Sequence, residues 1–201
     1  MTSLMRQVIA WFGWGIGIGA LVGISVILTA TVIIAPVIVG YLVNALRYLE
    51  MKLLNAISRK FAIFFDHYLT IPGLFVHELS HLCLGVITGG KVIEFNISAN
   101  ENTAHGNIRL RERGPMFLKA MQRSLTAVAP TVICFALSIF LLRIFWAGGC
   151  SIWASIGIWY IVISLVGHAN MSNADLRQYF RGVWVFIAPL FALFFISGLL
   201  I

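Results

Sequence analysis

Two histidines and a glutamate at a fixed spacing are the residues of this chain most able to do chemistry. His77, Glu78 and His81 form the pattern His-Glu-x-x-His inside the apolar run IPGLFVHELSHLCLGVITGG, residues 71–90. Residues i and i+4 share one face of a helix, so both imidazoles can reach one metal ion, and zinc suits such ligands. The glutamate beside them is placed to take a proton from a water on that metal. The spacing therefore predicts a zinc site with Glu78 as its base. The alternative is that the pattern occurs here by chance.

The composition defines the class of protein that carries this motif. The 201 residues are 60% hydrophobic and 10% charged, with a mean hydropathy of +0.96. So few polar side chains do not cover the surface of a soluble domain of this size, and we expect an integral membrane protein with several spans. Ionisable groups at membrane depth cost a few kcal/mol each, so those of the motif are functional by default.

The basic and thiol residues point to no further site. The formal net charge of +7 arises from short segments between apolar runs, which indicates determinants of membrane topology and no nucleic-acid partner. Cys83, Cys134 and Cys150 lie in apolar stretches without paired spacing, so we expect neither a disulfide framework nor a thiolate metal site. The first apolar run is longer than the hydrophobic region of a signal peptide, so we expect its helix to be retained.

The apolar runs predict an all-α membrane protein with about five transmembrane helices and a short β-hairpin after the motif helix. The first helix is expected to kink or end at Pro36 and to continue toward the interface, although a tight helical hairpin over residues 8–46 also fits. The charged stretch that follows, residues 47–60, predicts an interfacial amphipathic segment. The five helices are expected at about residues 8–35, 61–88, 116–145, 152–167 and 180–201.

The hairpin is predicted from a change of period after Gly89 and Gly90. Apolar residues then alternate with polar ones over about residues 91–98 and 105–111, with a polar turn at residues 99–103. An exposed strand edge can add an extended peptide, so the hairpin either holds a substrate backbone near the metal or caps the site without touching substrate.

A second feature of the first helix is the four-residue spacing of Gly15, Gly19 and Gly23. Such a face allows close approach of another helix, either the motif helix or a second subunit, so a homo-oligomer is one expectation.

Counting Lys and Arg between the predicted spans gives nine on the N-terminal side and five on the other. This bias predicts that the N-terminus and the site face the cytoplasm.

A catalytic zinc site usually has three protein ligands and a water, so a third ligand must come from another part of the chain. Apart from Glu78, Asp175 is the one acid expected at a later helix end on the same side as the histidines. His168 is the alternative ligand, and His168 or Asn170 would otherwise orient substrate or stabilise an oxyanion. Without a metal, Asp175 would pair with Arg177 or Arg181 at the interface.

These motifs resemble those of the site-2 protease family of intramembrane zinc metalloproteases. The resemblance covers residues 72–181 and rests on PGLFVHELSH, the strands KVIEFNIS and HGNIRL, the Ala-Pro within AVAPTVICFAL, and a later aspartate. It implies that His77, His81 and Asp175 bind zinc and that Glu78 is the base. The segment GHANMSNADLRQ lacks the prolines and the Leu-Asp-Gly of that family, so the chain resembles a small divergent branch.

The expected function is intramembrane proteolysis by a zinc-dependent metalloendopeptidase with one zinc per chain. Its substrates would be membrane-anchored proteins cleaved within or near the bilayer, with Glu78 activating the zinc-bound water. We expect one integral membrane domain, with an N-terminal helix and interfacial segment (1–60), a metalloprotease-like core (61–181) and a C-terminal helix (182–201). The alternative is a non-hydrolytic metal-binding membrane protein, a chaperone, sensor or adaptor that uses the same ligands.

Overall fold

The computed structural model describes residues 17–100 and 103–200, which form mostly helices and one two-stranded sheet. A short π-helical turn, Phe65–Leu69, joins the second helix to the third. The elements in chain order are α1 Ile18–Ile57, α2 Arg59–Phe64, α3 Ile71–Ile87, β1 Lys91–Asn100, β2 Thr103–Arg111, α4 Met116–Trp146, α5 Ile152–Gly167, α6 Asn173–Gly182 and α7 Trp184–Leu199.

Two of the described helices, α1 and α4, are long and apolar enough to cross a membrane. A third span results if α6 and α7, which meet at a bend of 61°, cross as one unit. The other two apolar helices are shorter, with 17 residues in α3 and 16 in α5. The structure thus has two to three candidate spans, as suits a membrane protein, where the apolar runs predict five.

Helix α1 differs from its prediction in where it ends. It runs for 40 residues through Pro36 to Ile57, so the described part contains no helical hairpin and no separate interfacial segment over residues 47–57. Leu, Ala, Met, Glu, Lys and Arg dominate that stretch, and their helix propensity favours continuation despite its charges. The predicted start at residue 8 and Gly15 lie outside the described residues. An added Cβ at Gly19 or Gly23 would meet no atom within 4 Å, so neither glycine contacts the motif helix.

The motif lies on a shorter helix than the expected span over residues 61–88. The chain leaves helical geometry at Thr70, and α3 begins at Ile71 with Pro72 in its first turn. Proline is favoured there because its missing N–H would have no partner in a first turn and its φ is already helical. Glycine ends the helix: Gly89 has a φ of +90°, and the N–H of Gly90 donates to the carbonyl of Gly85 at 2.8 Å.

The last predicted helix, residues 180–201, is also divided in the structure. Helix α6 begins at Asn173, upstream of the predicted start, because the Ser172 side chain accepts a hydrogen bond from the N–H of Asp175 and caps the helix. The chain then bends by 61° between α6 and α7. Asp175 therefore lies in the first turn of a short helix of its own.

The two strands form an antiparallel pair directly after α3. Lys91 lies opposite Arg111 and Asn100 opposite Thr103, with an irregularity between Val92 and Glu94. The predicted turn lies partly at residues 101–102, outside the described residues. Both strands contact α3, and Leu110 packs on Gly85, where a Cβ would collide with the leucine. The sheet thus covers one side of the motif helix.

Helix α3 packs against α4 and α5, while α6 packs against α4. Two glycines permit this close packing. A Cβ at Gly73 of α3 would collide with the carbonyl oxygen of Ser164 in α5, and one at Gly182 of α6 with that of Ala120 in α4. Small residues at helix contacts let backbones approach closely. These contacts bring the first turn of α6 beside the motif helix.

Two buried apolar clusters fix the chain between α5 and α6, residues 168–172. Asn44 of α1 also donates a hydrogen bond to the carbonyl of Met171 at 2.8 Å. The first cluster contains Val43, Cys134, Leu165 and Ala169, and the second contains Ala127, Met171, Tyr179 and Val183.

Candidate metal centre

The structure brings together the two motif histidines and the predicted aspartate. The potential ligand atoms of His77, His81 and Asp175 all lie within 4.8 Å of one another. The two imidazole centroids are 4.9 Å apart, and His81 Nε2 lies 3.6 Å from Asp175 Oδ1. Within residues 17–100 and 103–200 this is the one group of three or more His, Cys, Asp or Glu so arranged. We call these three residues the ligand group.

Backbone carbonyls orient both histidines. His77 Nδ1 lies 2.7 Å from the carbonyl oxygen of His168, and His81 Nδ1 lies 2.9 Å from that of Thr126. A carbonyl only accepts hydrogen bonds, so each Nδ1 carries the proton and donates it. Each Nε2 then keeps its lone pair. This is how metal-binding histidines are commonly held, with one nitrogen on the metal and the other on an oriented acceptor.

Asp175 is oriented by the cap of its own helix. Its Oδ2 accepts hydrogen bonds from the backbone N–H of Ser172 at 2.9 Å and from the Ser172 hydroxyl at 2.6 Å. Its Oδ1 is the oxygen nearest to His81. Since one oxygen is fixed by the capping box, the other is presented to the histidines.

The ligand group fits a zinc ion by the chemistry of its donors. Two imidazole nitrogens with free lone pairs and one carboxylate oxygen match the three-ligand sets of catalytic zinc sites, which leave a fourth position for water. All three atoms are acceptors, and no salt bridge brings Lys or Arg to them within the described chain. His77 and Asp175 are 8% and 9% exposed, so bulk water screens them little.

A cavity of about 320 Å³ opens beside the ligand group. Glu78 lines it together with the three ligand residues and is itself 8% exposed. Its carboxylate makes no hydrogen bond to the residues that the structure describes. Strand β2 contributes the apolar residues Ile108 and Leu110 to the lining. The further lining residues include Gln122, Thr126, Ser172 and Gln178.

An ion pair between Glu112 and Arg123 lies in the same cavity wall. The guanidinium donates from Nε at 2.7 Å and from a terminal nitrogen at 2.9 Å to the two carboxylate oxygens. The hydrogen bonds from Arg123 hold the pKa of Glu112 below its ordinary value of 4.5. Glu112 and Arg123 therefore compensate each other's charge, and Arg123 is not paired with any residue of the ligand group.

The other candidate residues lie near the ligand group but point elsewhere. His168 contributes its backbone carbonyl to His77, while its ring Nδ1 lies 3.1 Å from the carbonyl oxygen of Ser164. Asn170 donates to the side-chain oxygen of Asn44 at 2.9 Å. The His168 ring thus contacts the last turn of its own helix, and the Asn170 side chain contacts α1.

The predicted interfacial partners of Asp175 do not reach it. Arg177 Nε donates to the carbonyl of Asn173 at 3.1 Å, and neither Arg177 nor Arg181 forms an ion pair with Asp175. The carboxylate is thus directed to the histidines and the helix cap.

Three groups that support the site have no place in the sequence prediction: Ser172, the Thr126 carbonyl and the Glu112–Arg123 pair. A local signal exists for the first, because Ser-x-x-Asp is a capping-box spacing that places Asp175 in a first helical turn. The other two depend on contacts between elements.

Comparison of the chain with models of known protein families, with curated proteins and with solved structures found no match.

Proposed function

We propose that this chain is a zinc-dependent membrane metalloprotease that cleaves membrane-anchored proteins within or near the bilayer. The observation that carries the proposal is the convergence of three acceptor atoms from His77, His81 and Asp175 beside a cavity that also holds Glu78. The candidate spans support a membrane location. The resemblance of the motifs to those of site-2 proteases agrees with this function, and the N-terminus and site are proposed to face the cytoplasm.

The proposed roles follow from the chemistry of each residue. His77, His81 and Asp175 would hold the ion, which supplies Lewis acidity that polarises the scissile carbonyl and acidifies water. Glu78 accepts a proton from the attacking water and returns it to the leaving amine. Its carboxylate suits this role because it faces the cavity and has no hydrogen bond to the described chain.

The cavity also sets a condition on the substrate. A transmembrane helix shields its peptide bonds, since every amide is paired within the helix. A substrate must therefore unwind over a few residues before a peptide bond can reach Glu78. Ile108 and Leu110 of β2 give the cavity lining an apolar surface for the side chains of such an extended segment.

The decisive experiment compares Glu78→Gln with the wild-type protein in the same detergent. We expect about one zinc per chain in both, whereas cleavage of a panel of co-reconstituted single-span membrane proteins falls by about 10²–10⁴-fold in the variant. Glu50→Gln is the matched control, because Glu50 lies on α1 and pairs with Arg47 outside the cavity. This control should keep both zinc and cleavage.

Three other outcomes have distinct meanings. A wild-type protein that takes up no zinc would overturn the proposal. Undiminished cleavage by Glu78→Gln would remove Glu78 as the base. Stoichiometric zinc without cleavage of any member of the panel would favour the non-hydrolytic class, a metal-dependent chaperone, sensor or adaptor.

A further inference from the structure

The carbonyl that orients His81 belongs to a residue four positions before a proline. In an α-helix, the N–H of residue i+4 donates to the carbonyl of residue i. The donor for Thr126 would be residue 130, and Pro130 has no N–H. Its ring also crowds the carbonyl four residues earlier and turns it away from the helix axis. The Thr126 carbonyl is thus left without its helical partner.

His81 supplies the missing donor. Its Nδ1–H reaches the Thr126 oxygen at 2.9 Å. Thr126 is 9% exposed and Pro130 is less than 2% exposed, so little water reaches this carbonyl. An unpaired buried carbonyl is unfavourable, most of all at membrane depth, so the histidine ring is drawn into one orientation.

His77 obtains an equivalent acceptor in a different way. Its partner is the carbonyl of His168, which follows the last residue of α5 and belongs to the helix end, where carbonyls lack intrahelical donors. Helix α4 has no end near His81, because it continues to Trp146. A proline frees a carbonyl in the middle of such a helix without ending it.

We infer that Pro130 is a positioning residue for the zinc ligand His81. By leaving the Thr126 carbonyl without a helical donor, it fixes the His81 ring with the proton on Nδ1 and the lone pair of Nε2 toward the ligand group. The expected effect on zinc affinity rests on the proposed metal site, whereas the orientation of the ring exists in the protein without metal.

The other prolines inside helices provide the control. Pro36 in α1 and Pro189 in α7 free the carbonyls of Val32 and Val185, and no side chain of the described chain donates to either oxygen. Val32 is 45% exposed on the surface of α1. Pro36→Ala therefore makes the same chemical change as Pro130→Ala without touching a histidine.

The first measurement is zinc affinity by competition with a chelator. Pro130→Ala restores an N–H that competes for the Thr126 carbonyl, and we expect zinc to bind about 10–100-fold more weakly, as for other lost partners of metal-binding histidines. Pro130→Val restores the same N–H with a side chain larger than the proline ring, so the same loss in the smaller and the larger variant would assign it to the N–H and not to a cavity. Pro36→Ala should stay within about twofold of wild type.

The second measurement needs no metal. In metal-free protein with ¹⁵N-labelled histidine, and with the His81 signal assigned by His81→Gln, NMR should show the Nδ1–H tautomer in wild type. Both Pro130 variants should shift this signal toward a mixture with the Nε2–H tautomer. A wild-type tautomer with unchanged zinc affinity in both variants would overturn the inference.

The two measurements separate the inference from the proposed function. If no form of the protein binds zinc, the metal site fails, and the tautomer comparison still decides the role of Pro130. If zinc binds and the Pro130 variants match Pro36→Ala in both measurements, the metal site stands and the positioning role is wrong.

Discussion

Two clusters of polar residues contact α3 or the turn before it, and they differ in how their charges are compensated. In the first, which we call the arginine cluster, Arg47 donates to Glu50 at 2.7 Å, to Asp66 at 2.6 Å and to the Thr70 hydroxyl at 3.4 Å. In the ligand group, three acceptor atoms meet within 4.8 Å without Lys or Arg among the described residues. The arginine cluster contains its own cation, whereas the ligand group lacks one.

The difference separates a structural cluster from a site. A carboxylate is stabilised when a cation and hydrogen bonds compensate its charge, as Arg47 does for Glu50 and Asp66. His81 Nε2 lies 3.6 Å from Asp175 Oδ1, which is too long for a hydrogen bond, and His77 Nε2 has no hydrogen-bond partner among the described residues. A cation from outside the chain would pair with both groups, and this is the role that we propose for zinc.

The largest expected effect comes from removing the third acceptor. Asp175→Ala removes one of the three protein ligands and leaves only two imidazoles to hold the ion. Zinc affinity should therefore fall by more than about 100-fold, beyond the loss expected when a ligand only loses its hydrogen-bond partner. Zinc per chain measured after detergent purification tests this. Asn170→Ala, in the neighbouring loop, should keep about one zinc per chain because its side chain bonds to Asn44.

The same experiment can move the third ligand. Full zinc in Asp175→Ala together with loss in His168→Ala would contradict the geometry of the ligand group. It would assign the position to His168, the alternative that the sequence leaves open.

A smaller effect is expected when the orientation of Asp175 is lost. Ser172→Ala removes the hydroxyl that donates to Oδ2 at 2.6 Å, so the carboxylate is free to turn and zinc should bind about 10–100-fold more weakly. The same change removes a helix cap. Ser151→Ala is therefore the control, because Ser151 caps α5 in the same way and lies outside the cavity.

Chelator competition on both serine variants decides this prediction. Ser151→Ala should lower stability by about 0.5–2 kcal/mol and leave zinc affinity unchanged. Equal zinc affinities in Ser172→Ala and wild type would show that Asp175 needs no support from its cap.

The arginine cluster should respond in the opposite sense. Arg47→Met leaves the carboxylates of Glu50 and Asp66 without their cation, but these side chains are 35% and 37% exposed and water screens the charges, so we expect the free energy of unfolding to fall by about 1 kcal/mol. Zinc affinity should stay within about twofold of wild type. Thermal unfolding in detergent, with Lys52→Met of the same helix as control, measures the first effect. Loss of zinc in Arg47→Met would show that the two clusters act as one unit.

The sequence predicts His77, Glu78, His81 and Asp175, and it misses the acceptors and the ion pair that depend on packing. His77, Glu78 and His81 are recognisable because a four-residue spacing fixes their relation within one helix. The meeting of Asp175 with them depends on how α6 packs against α4, which hydropathy does not encode. Thr126 is 45 residues from His81, so its role as acceptor follows only from the packed structure.

The fold shows the same division. Apolar runs reveal which segments are helical and membrane-like, and the period of two after Gly90 predicts where strands lie. They do not reveal where helices break. The break at Thr70 and the bend between α6 and α7 follow from turn geometry, so the predicted long second and last helices are each divided. Five predicted spans become two or three candidates because of these two breaks and because α5, which lies at its predicted residues, has only 16 residues.

The smallest expected effect concerns the Glu112–Arg123 pair, which lines the cavity as the ligand group does but is compensated like the arginine cluster. The lowered pKa of Glu112 means that the pair stabilises the fold above pH 4.5, its ordinary pKa, and that this contribution is lost as the pH falls through the lowered value. The side chains are 32% and 35% exposed, so we expect Glu112→Gln to lower stability at pH 7 by no more than about 1 kcal/mol. The difference from wild type in thermal unfolding should shrink as the pH is lowered below 4.5. If the difference between wild type and Glu112→Gln stays constant over this range, the charge of Glu112 does not stabilise the fold, and only the shape of its side chain does.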